Sequence, residues 1–439
     1  MNTHDSERLI RAALAPAPHV QAPPELGDEI YRALLETPQN RGGLWPFAPR
    51  RAPAMAALWI LLIVSILATG LLFAIGVLEP RPTPPDIVSM YHGGPERTGA
   101  MPGPGPVGPV EIAWSVPRTG VIPFNIMPVV ADDTVFVGDG NGTLSALDVR
   151  TGELRWEETI GSSVTASPLY ADGLVVAGSQ EGTIVALDAA TGAERWRFDA
   201  GSRAGASLAA ADGVLFAGTD DGILFGLDIA TGARLWQVTA AGPLTRGPAF
   251  ADGTLYLGVA GGRFSAIDLA TLDVLWAVEL GSGELATPAV SSQTVYTATG
   301  LATPGVPHEL VAMNIADGSR RWSFAAPSNE PLFVSAVDNR MVYAGSEDFN
   351  LYALDATTGA VRWTFETGGI VGSLASLVDD VLYVPSADRF VYALDAATGV
   401  EIWRVAIDGE PTIPVVISGR VIVGTSLGMV TAIVGSEEP

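Results

Sequence analysis

Ala146-Leu147-Asp148-Val149-Arg150-Thr151-Gly152-Glu153-Leu154-Arg155-Trp156 is a phrase that this chain repeats. Ala186-Leu187-Asp188 runs on to Trp196, Gly226-Leu227-Asp228 to Trp236, Ala353-Leu354-Asp355 to Trp363, and Ala393-Leu394-Asp395 to Trp403. With Trp114, Trp276 and Trp322 these make eight tryptophans, separated by 42, 40, 40, 40, 46, 41 and 40 residues. A fixed period near 40 with strand-like content predicts a β-propeller with one blade per repeat. The phrase has a mechanism. The aspartate can accept hydrogen bonds from its own turn, and Gly152, Gly192, Gly232, Gly359 and Gly399 supply positive φ. The indole then buries a large ring against the next blade with its N–H paired. Two further copies are degraded: Leu272 replaces the glycine in one, and Met313, Asn314 and Asp317 replace Leu, Asp and Thr in the other.

One unit, 161–200, predicts four strands. Val164 to Leu169 reads as an innermost strand, followed by Leu174 to Ala177, Thr183 to Leu187 and Glu194 to Phe198. The turns Ala171-Asp172-Gly173, Glu181-Gly182 and Asp188 to Gly192 join them. The ends complete each other. The last unit, Pro414 to Val434, has strands but no tryptophan, while Trp114 has no blade before it. The N-terminal strand therefore closes the last blade in a ring of eight, which leaves no exposed edge.

Composition narrows the function. The 439 residues contain no cysteine, which removes disulfides, thiolate metal sites and cysteine nucleophiles. Lysine is absent too, so all 24 basic residues are arginine against 48 acids. Residues 1–54 balance, whereas residues 110 onward hold 39 acids and 16 arginines. So acidic a propeller repels phosphate and is no nucleic-acid binder. Its charge solubilises the surface or attracts a basic partner.

Residues 55–78, from Met55 to Leu78, carry no charge over 24 positions, enough for a transmembrane helix. Arg41, Arg50 and Arg51 precede the span and Arg81 follows it. Positive charge stays inside, which predicts a single-pass protein of the cell membrane with a cytoplasmic N-terminus and an extracytoplasmic propeller. The tail, 1–54, holds two short amphipathic helices. Leu9, Ile10, Ala13 and Leu14 share one face, and Leu26, Ile30, Ala33 and Leu34 another. The segment 1–36 is either a simple topology tail or a docking segment that folds on a cytoplasmic partner. Residues 79–109 are rich in proline and glycine and read as an extended tether. The propeller spans 110–435.

Ala-Leu-Asp-x-x-Thr-Gly-x-x-x-Trp resembles the tryptophan docking motif of the quinoprotein (PQQ-like) repeat family over about residues 110–435. The segment Gly94-Pro95-Glu96-Arg97-Thr98-Gly99 resembles the leader of many such propellers. The resemblance implies one of two kinds of protein, a PQQ-dependent dehydrogenase or a non-catalytic propeller such as the BamB-type envelope scaffolds. The dehydrogenases sandwich their quinone between a tryptophan and a ring of two adjacent cysteines, and hold calcium beside an aspartate base. This chain has no cysteine, and its two tryptophans outside the repeat, Trp45 and Trp59, precede the propeller. The inner strands read as small and neutral, at Thr165 to Pro168, Gly205 to Ser207, Ala286 to Pro288, Gly372-Ser373 and Thr412 to Pro414, so the channel they line has nothing to tune a cofactor. Neither PQQ nor catalysis is expected. BamB-type scaffolds are anchored by a lipid on cysteine, which this chain lacks.

Glu284, Glu330 and Glu410 each precede an inner strand, and so approach one mouth of the channel. They are either solvated rim charges or a site for a hard cation such as Ca²⁺, with Arg203 and Arg246 as competing partners. Asp139-Gly140-Asn141-Gly142 and Asp220-Asp221-Gly222 resemble calcium loops but lack the later ligands. His4, His19, His92 and His308 share no metal-ligand spacing. The blade loop Gly300 to Glu309 is the one that grows, a place for binding or a drifted repeat. The expected function is binding of a protein or envelope component. A transmembrane sensor and a PQQ dehydrogenase are the alternatives.

Overall fold

The computed structural model describes residues 87–436 apart from 124, 205–207, 302–304 and 373. Within these, 32 strands form eight four-stranded antiparallel sheets, the blades of a closed propeller. Blade 1 comprises Val129–Ala131, Thr134–Gly138, Thr143–Asp148 and Leu154–Thr159, counted from the axis outward. Blades 2 to 7 follow over 169–199, 209–239, 249–279, 289–324, 332–366 and 376–406. Middle strands such as Thr183–Asp188 are buried at every interior position. They lie between two neighbouring blades, and so read as continuous apolar runs rather than as alternation. Outer strands such as Glu194–Asp199 expose charged residues and turn Trp196 inward.

Blade 8 is built from both ends of the domain. Val110–Pro117 pairs with Met429–Gly435, from Val110 opposite Gly435 to Pro117 opposite Met429. A β-bulge recurs beside the docking tryptophan of every blade. In blade 2 Ala186 faces Trp196 and Leu187 faces Glu194, which leaves Arg195 as the extra residue. Such a bulge bends the strand and re-aims the residue it extrudes.

Two sequence expectations are corrected. The innermost strand of blade 2 is Leu169–Ala171, not Val164 to Leu169. Val164 bridges Ser179 and the Thr165 amide reaches Gly178, but Pro168 has no N–H to continue that ladder. The second correction concerns the tether. From Ile87 onward it is part of the propeller, as described below. The tail 1–54 and the apolar span 55–78 lie outside the described residues. Among the described residues no helix is long and apolar enough to cross a membrane.

Candidate functional site

Three features are built on this frame: a docking collar, a leader that crosses the ring, and a cavity at the channel mouth. In the collar six tryptophans reach the next blade. Trp156 Nε1 donates to Ala189 O at 2.9 Å, Trp196 to Ile229 O at 2.9 Å, Trp322 to Ala356 O at 3.0 Å and Trp363 to Ala396 O at 3.1 Å. Trp114 reaches Val149 O and Trp276 reaches Ile315 O in the same way. The rings lie against the motif glycines. A Cβ on Gly399 would sit 2.6 Å from Trp363, and one on Gly232 would sit 2.6 Å from Trp196. The aspartates close their own turns. Asp188 Oδ1 accepts from the Thr191 amide and hydroxyl, and Asp148, Asp228, Asp355 and Asp395 do likewise with Thr151, Thr231, Thr358 and Thr398. Bonds to Arg155, Arg195 and Arg362 hold the carboxyls of Asp148, Asp188 and Asp355 down to about 2.

The leader, 87–106, touches every blade in turn. Val88 pairs with Val130 of blade 1, and the Tyr170 amide of blade 2 donates to Ser89 O. Phe250 of blade 4 donates to Pro95 O, Val290 of blade 5 to Glu96 O, Val337 of blade 6 to Thr98 O and Leu377 of blade 7 to Gly99 O. Gly419 of blade 8 donates to Pro104 O. Blade 3 is reached through Arg97, whose side chain is fully buried. Its Nη2 donates to Leu208 O at 2.8 Å, its Nε to Pro248 O at 3.1 Å and its Nη1 to Tyr91 O at 2.9 Å. The guanidinium also lies 5.1 Å from the centre of the Tyr91 ring. Burial pulls its pKa down to about 10. His92 is buried as well, with Nε2 2.6 Å from Ser335 O, and burial pulls it down to about 4. At the end of the leader, Pro106 O accepts from Trp403 Nε1 at 2.8 Å and from Tyr383 Oη at 3.2 Å. The last tryptophan therefore docks on the leader instead of on a repeat.

These contacts fall at the far ends of the inner strands, so the leader floors the channel. The opposite mouth holds a cavity of about 220 Å³. Tyr91 forms its floor, Arg246 and Glu347 supply charge, and Phe333, Leu374 and Ile413 supply an apolar wall. Arg246 Nη2 lies 3.3 Å from Glu284 Oε2, across blades 4 and 5. Glu330 and Glu410 are exposed on blades 6 and 8. The three glutamates do not come together, because Glu284 turns to Arg246 while the others face solvent. Among the described residues no three His, Asp or Glu side chains are grouped to hold a metal. Arg203 pairs with Asp220 at 3.4 Å. Both oxygens of Asp139 are occupied, Oδ1 by the Asn141 and Thr143 amides of its own loop and Oδ2 by the Thr119 hydroxyl and Gly120 amide of the segment after Val110–Pro117. The enlarged loop lies on the mouth side of blade 5, where its Leu301 lines the cavity.

The same mouth-side loops display four exposed apolar side chains. They are Val121 of blade 1, Phe349 of blade 6, Ile370 of blade 7 and Leu427 of blade 8. Phe349 is 45 % exposed and Leu427 is 66 % exposed. Neighbouring loops fix them in place. The Thr367 amide donates to Phe349 O, Ala387 to Ile370 O and Arg118 to Gly428 O.

A family model described as outer membrane protein assembly factor BamB matches residues 111–243, 220–369 and 347–436. No curated protein matches the sequence. Among solved structures, BamB from Moraxella catarrhalis is 24% identical with a TM-score of 0.61, over 75% of this chain and 99% of that one. A computationally designed protein, Ika8, is 19% identical with a TM-score of 0.65, over 73% of this chain and 99% of that one. A quinohemoprotein alcohol dehydrogenase from Pseudomonas putida is 14% identical with a TM-score of 0.64, over 81% of each chain. At these identities the structures share the fold, and the fold alone says nothing of chemistry.

Proposed function

We propose, from the premise that this chain belongs to the family of the outer membrane protein assembly factor BamB, that it is a non-catalytic binding scaffold. The observation that carries the reading is the mouth-side face of blades 6, 7, 8 and 1. There Phe349, Ile370, Leu427 and Val121 stand exposed beside a cavity walled by Phe333, Leu374 and Ile413. Apolar groups held on rigid loops and rimmed by charge are what a protein partner buries. Glu330, Glu347 and Glu410 border that face, so the partner presents an apolar anchor flanked by basic residues. The eight propeller tryptophans lie along the outer strands, away from the cavity. That placement supports a structural role for all of them and a scaffold rather than a quinone site.

The anchor in this proposal is the apolar segment 55–78, with the tail 1–54 cytoplasmic and the propeller extracytoplasmic. The charge asymmetry of its flanks supports that orientation. The test is mild cross-linking of the full-length protein in its own membranes, followed by affinity capture and mass spectrometry. Discrete envelope proteins captured by the wild type and lost with Phe349→Asp and Leu427→Asp are expected. Partners that persist in both variants but vanish on removal of residues 1–36 would replace this reading with a sensor.

A further inference from the structure

The repeat breaks twice at one place: the first break exchanges the motif aspartate for Asn314 and sets Asp317 three residues on, where its Oδ1 accepts from the Ser319 amide and hydroxyl, and the second replaces an aspartate by serine. In three blades the arginine before the docking tryptophan folds back on its own motif. Arg155 reaches Asp148 at 2.7 Å, Arg195 reaches Asp188 at 2.5 Å and Arg362 reaches Asp355 at 2.5 Å. Each is the residue that the bulge extrudes. Arg155 also donates to the Thr134 hydroxyl. Arg321 holds this position in blade 5 and keeps the equivalent bond, to Thr294 Oγ1 at 2.5 Å. Its motif carboxylate is missing, because Asn314 stands where the other blades have aspartate. Asn314 Oδ1 instead accepts from the Ala316 amide. Among the described residues Arg321 makes no ion pair, and its other contact is Gln293 O at 3.4 Å.

The second break is in the turn beside it. Blades 1, 2, 3, 4 and 7 carry left-handed aspartates between their first two strands, at Asp132, Asp172, Asp212, Asp252 and Asp379. Blade 5 has Ser291-Ser292-Gln293 there. Between these substitutions lies a cleft of about 260 Å³ at the junction of blades 5 and 6. Arg321, Ser292, Thr294, Asn339, Thr357 and the buried Tyr296 line it. One carboxylate, Asp338, lines it too. Its Oδ1 accepts the Arg340 and Met341 amides at 2.6 Å each, and its Oδ2 lies 3.7 Å from the Arg340 guanidinium. Asp338 is thus oriented by its own turn and shares Arg340 with Asp380, which lies 3.2 Å from that guanidinium. Arg321 is a guanidinium that makes no ion pair among the described residues, beside hydroxyls and an amide of which Ser291 and Ser292 donate to Asn339 Oδ1, on a chain of net charge −24.

A guanidinium presents planar paired donors that match a carboxylate, and serine, threonine and asparagine exchange hydrogen bonds with sugar hydroxyls. We propose that this cleft binds an acidic sugar, with Arg321 on the carboxylate and Ser292, Thr294, Asn339 and Thr357 on the hydroxyls. It lies on the face opposite the channel mouth and stands independently of the scaffold reading.

The probe is sodium glucuronate, titrated calorimetrically into the full-length protein, with glucose and acetate in parallel. Saturable glucuronate binding with a dissociation constant on the order of 1 mM is expected, at least ~10-fold tighter than either control. Asn314→Asp rebuilds the repeat and gives Arg321 an internal partner. It should weaken glucuronate binding by ~10-fold while Tm is unchanged or raised, an outcome that misfolding cannot produce. Arg321→Gln should abolish binding. Glucuronate that does not saturate at concentrations on the order of 10 mM overturns the proposal. So does an Asn314→Asp protein that binds like the wild type. Acetate binding as tightly as glucuronate overturns the assignment to a sugar.

Discussion

Arg97 is the residue whose removal the ring should feel most. It joins the leader to blades 3 and 4 through Leu208 O and Pro248 O, at 2.8 and 3.1 Å, and braces the leader itself through Tyr91 O at 2.9 Å. Arg97→Met keeps the volume and deletes the donors. Each carbonyl left buried without a partner costs ~1–3 kcal/mol. Removing the charge returns part of that. The fall from 12.5 to about 10 means that burial disfavours the guanidinium by roughly 3 kcal/mol. The net loss is about 3 kcal/mol, since the Tyr91 cation–π contact is lost as well. For a domain of this size that lowers Tm by ~4 °C. Arg97→Lys should fall between the two proteins, because an ammonium cannot span three diverging carbonyls as a planar fork does. The assay is scanning calorimetry of the full-length protein at pH 7. A Tm for Arg97→Met within ~2 °C of the wild type would show that the leader is dispensable and refute the reasoning.

Further outcomes follow from the same geometry. His92 is 2 % exposed and is held neutral in the fold by burial, with a pKa of about 4 against an ordinary 6.5. The unfolded chain takes up that proton first, so the stability is complete above pH 6.5 and drains away as pH falls to 4. The loss is roughly 3 kcal/mol. His92→Asn, which tolerates the φ of 63, should flatten a pH series of urea titrations across that window. The carboxyls of Asp148, Asp188 and Asp355 act lower, between their usual range and about 2, and leave the window clear. At the motif glycine, opposite changes should have opposite signs. Leu272 is strained at φ 64, so Leu272→Gly should stabilise by ~1 kcal/mol. Gly399→Ala brings a Cβ to 2.6 Å from Trp363 and should destabilise by ~1–3 kcal/mol, read by urea denaturation. For topology, the chain has no cysteine, so Ser436→Cys and Ser6→Cys are clean reporters. An impermeant maleimide applied to intact cells should label the first and spare the second.

The ring was legible because its code is local and repeated. The period of the tryptophans announces eight blades, and the missing tryptophan of the last unit announces closure by Val110–Pro117. The leader was not legible. Pro95, Gly99 and Pro104 read as a tether, yet they give their carbonyls to blades 4, 7 and 8. No periodicity marks such contacts, since each joins residues far apart in the chain. The signals were the resemblance of Gly94 to Gly99 to a propeller leader and one Glu96-Arg97 pair in a stretch, His92 to Pro109, that holds no other acid or arginine. A guanidinium there has use only if something encloses it. The inner strand of blade 2 was misplaced for a simpler reason. Alternation in Val164 to Leu169 suits a strand, but Pro168 breaks the ladder it would need. The three glutamates share a position relative to the strands and still diverge. Where a long side chain points depends on its neighbours, and Arg246 captures only Glu284.

If the mouth-side apolar face seats a protein, a cross-linker placed on it should capture that protein. The most direct measurement places a photo-reactive amino acid at Phe349 or Leu427 of the full-length protein, with Leu275 on the outer strand of blade 4 as the control. All three positions are exposed, so accessibility alone does not separate them. A discrete cross-linked protein is expected from positions 349 and 427 on irradiation of native membranes, and none from position 275. Equal adducts from all three positions, or none from the mouth side, would contradict it.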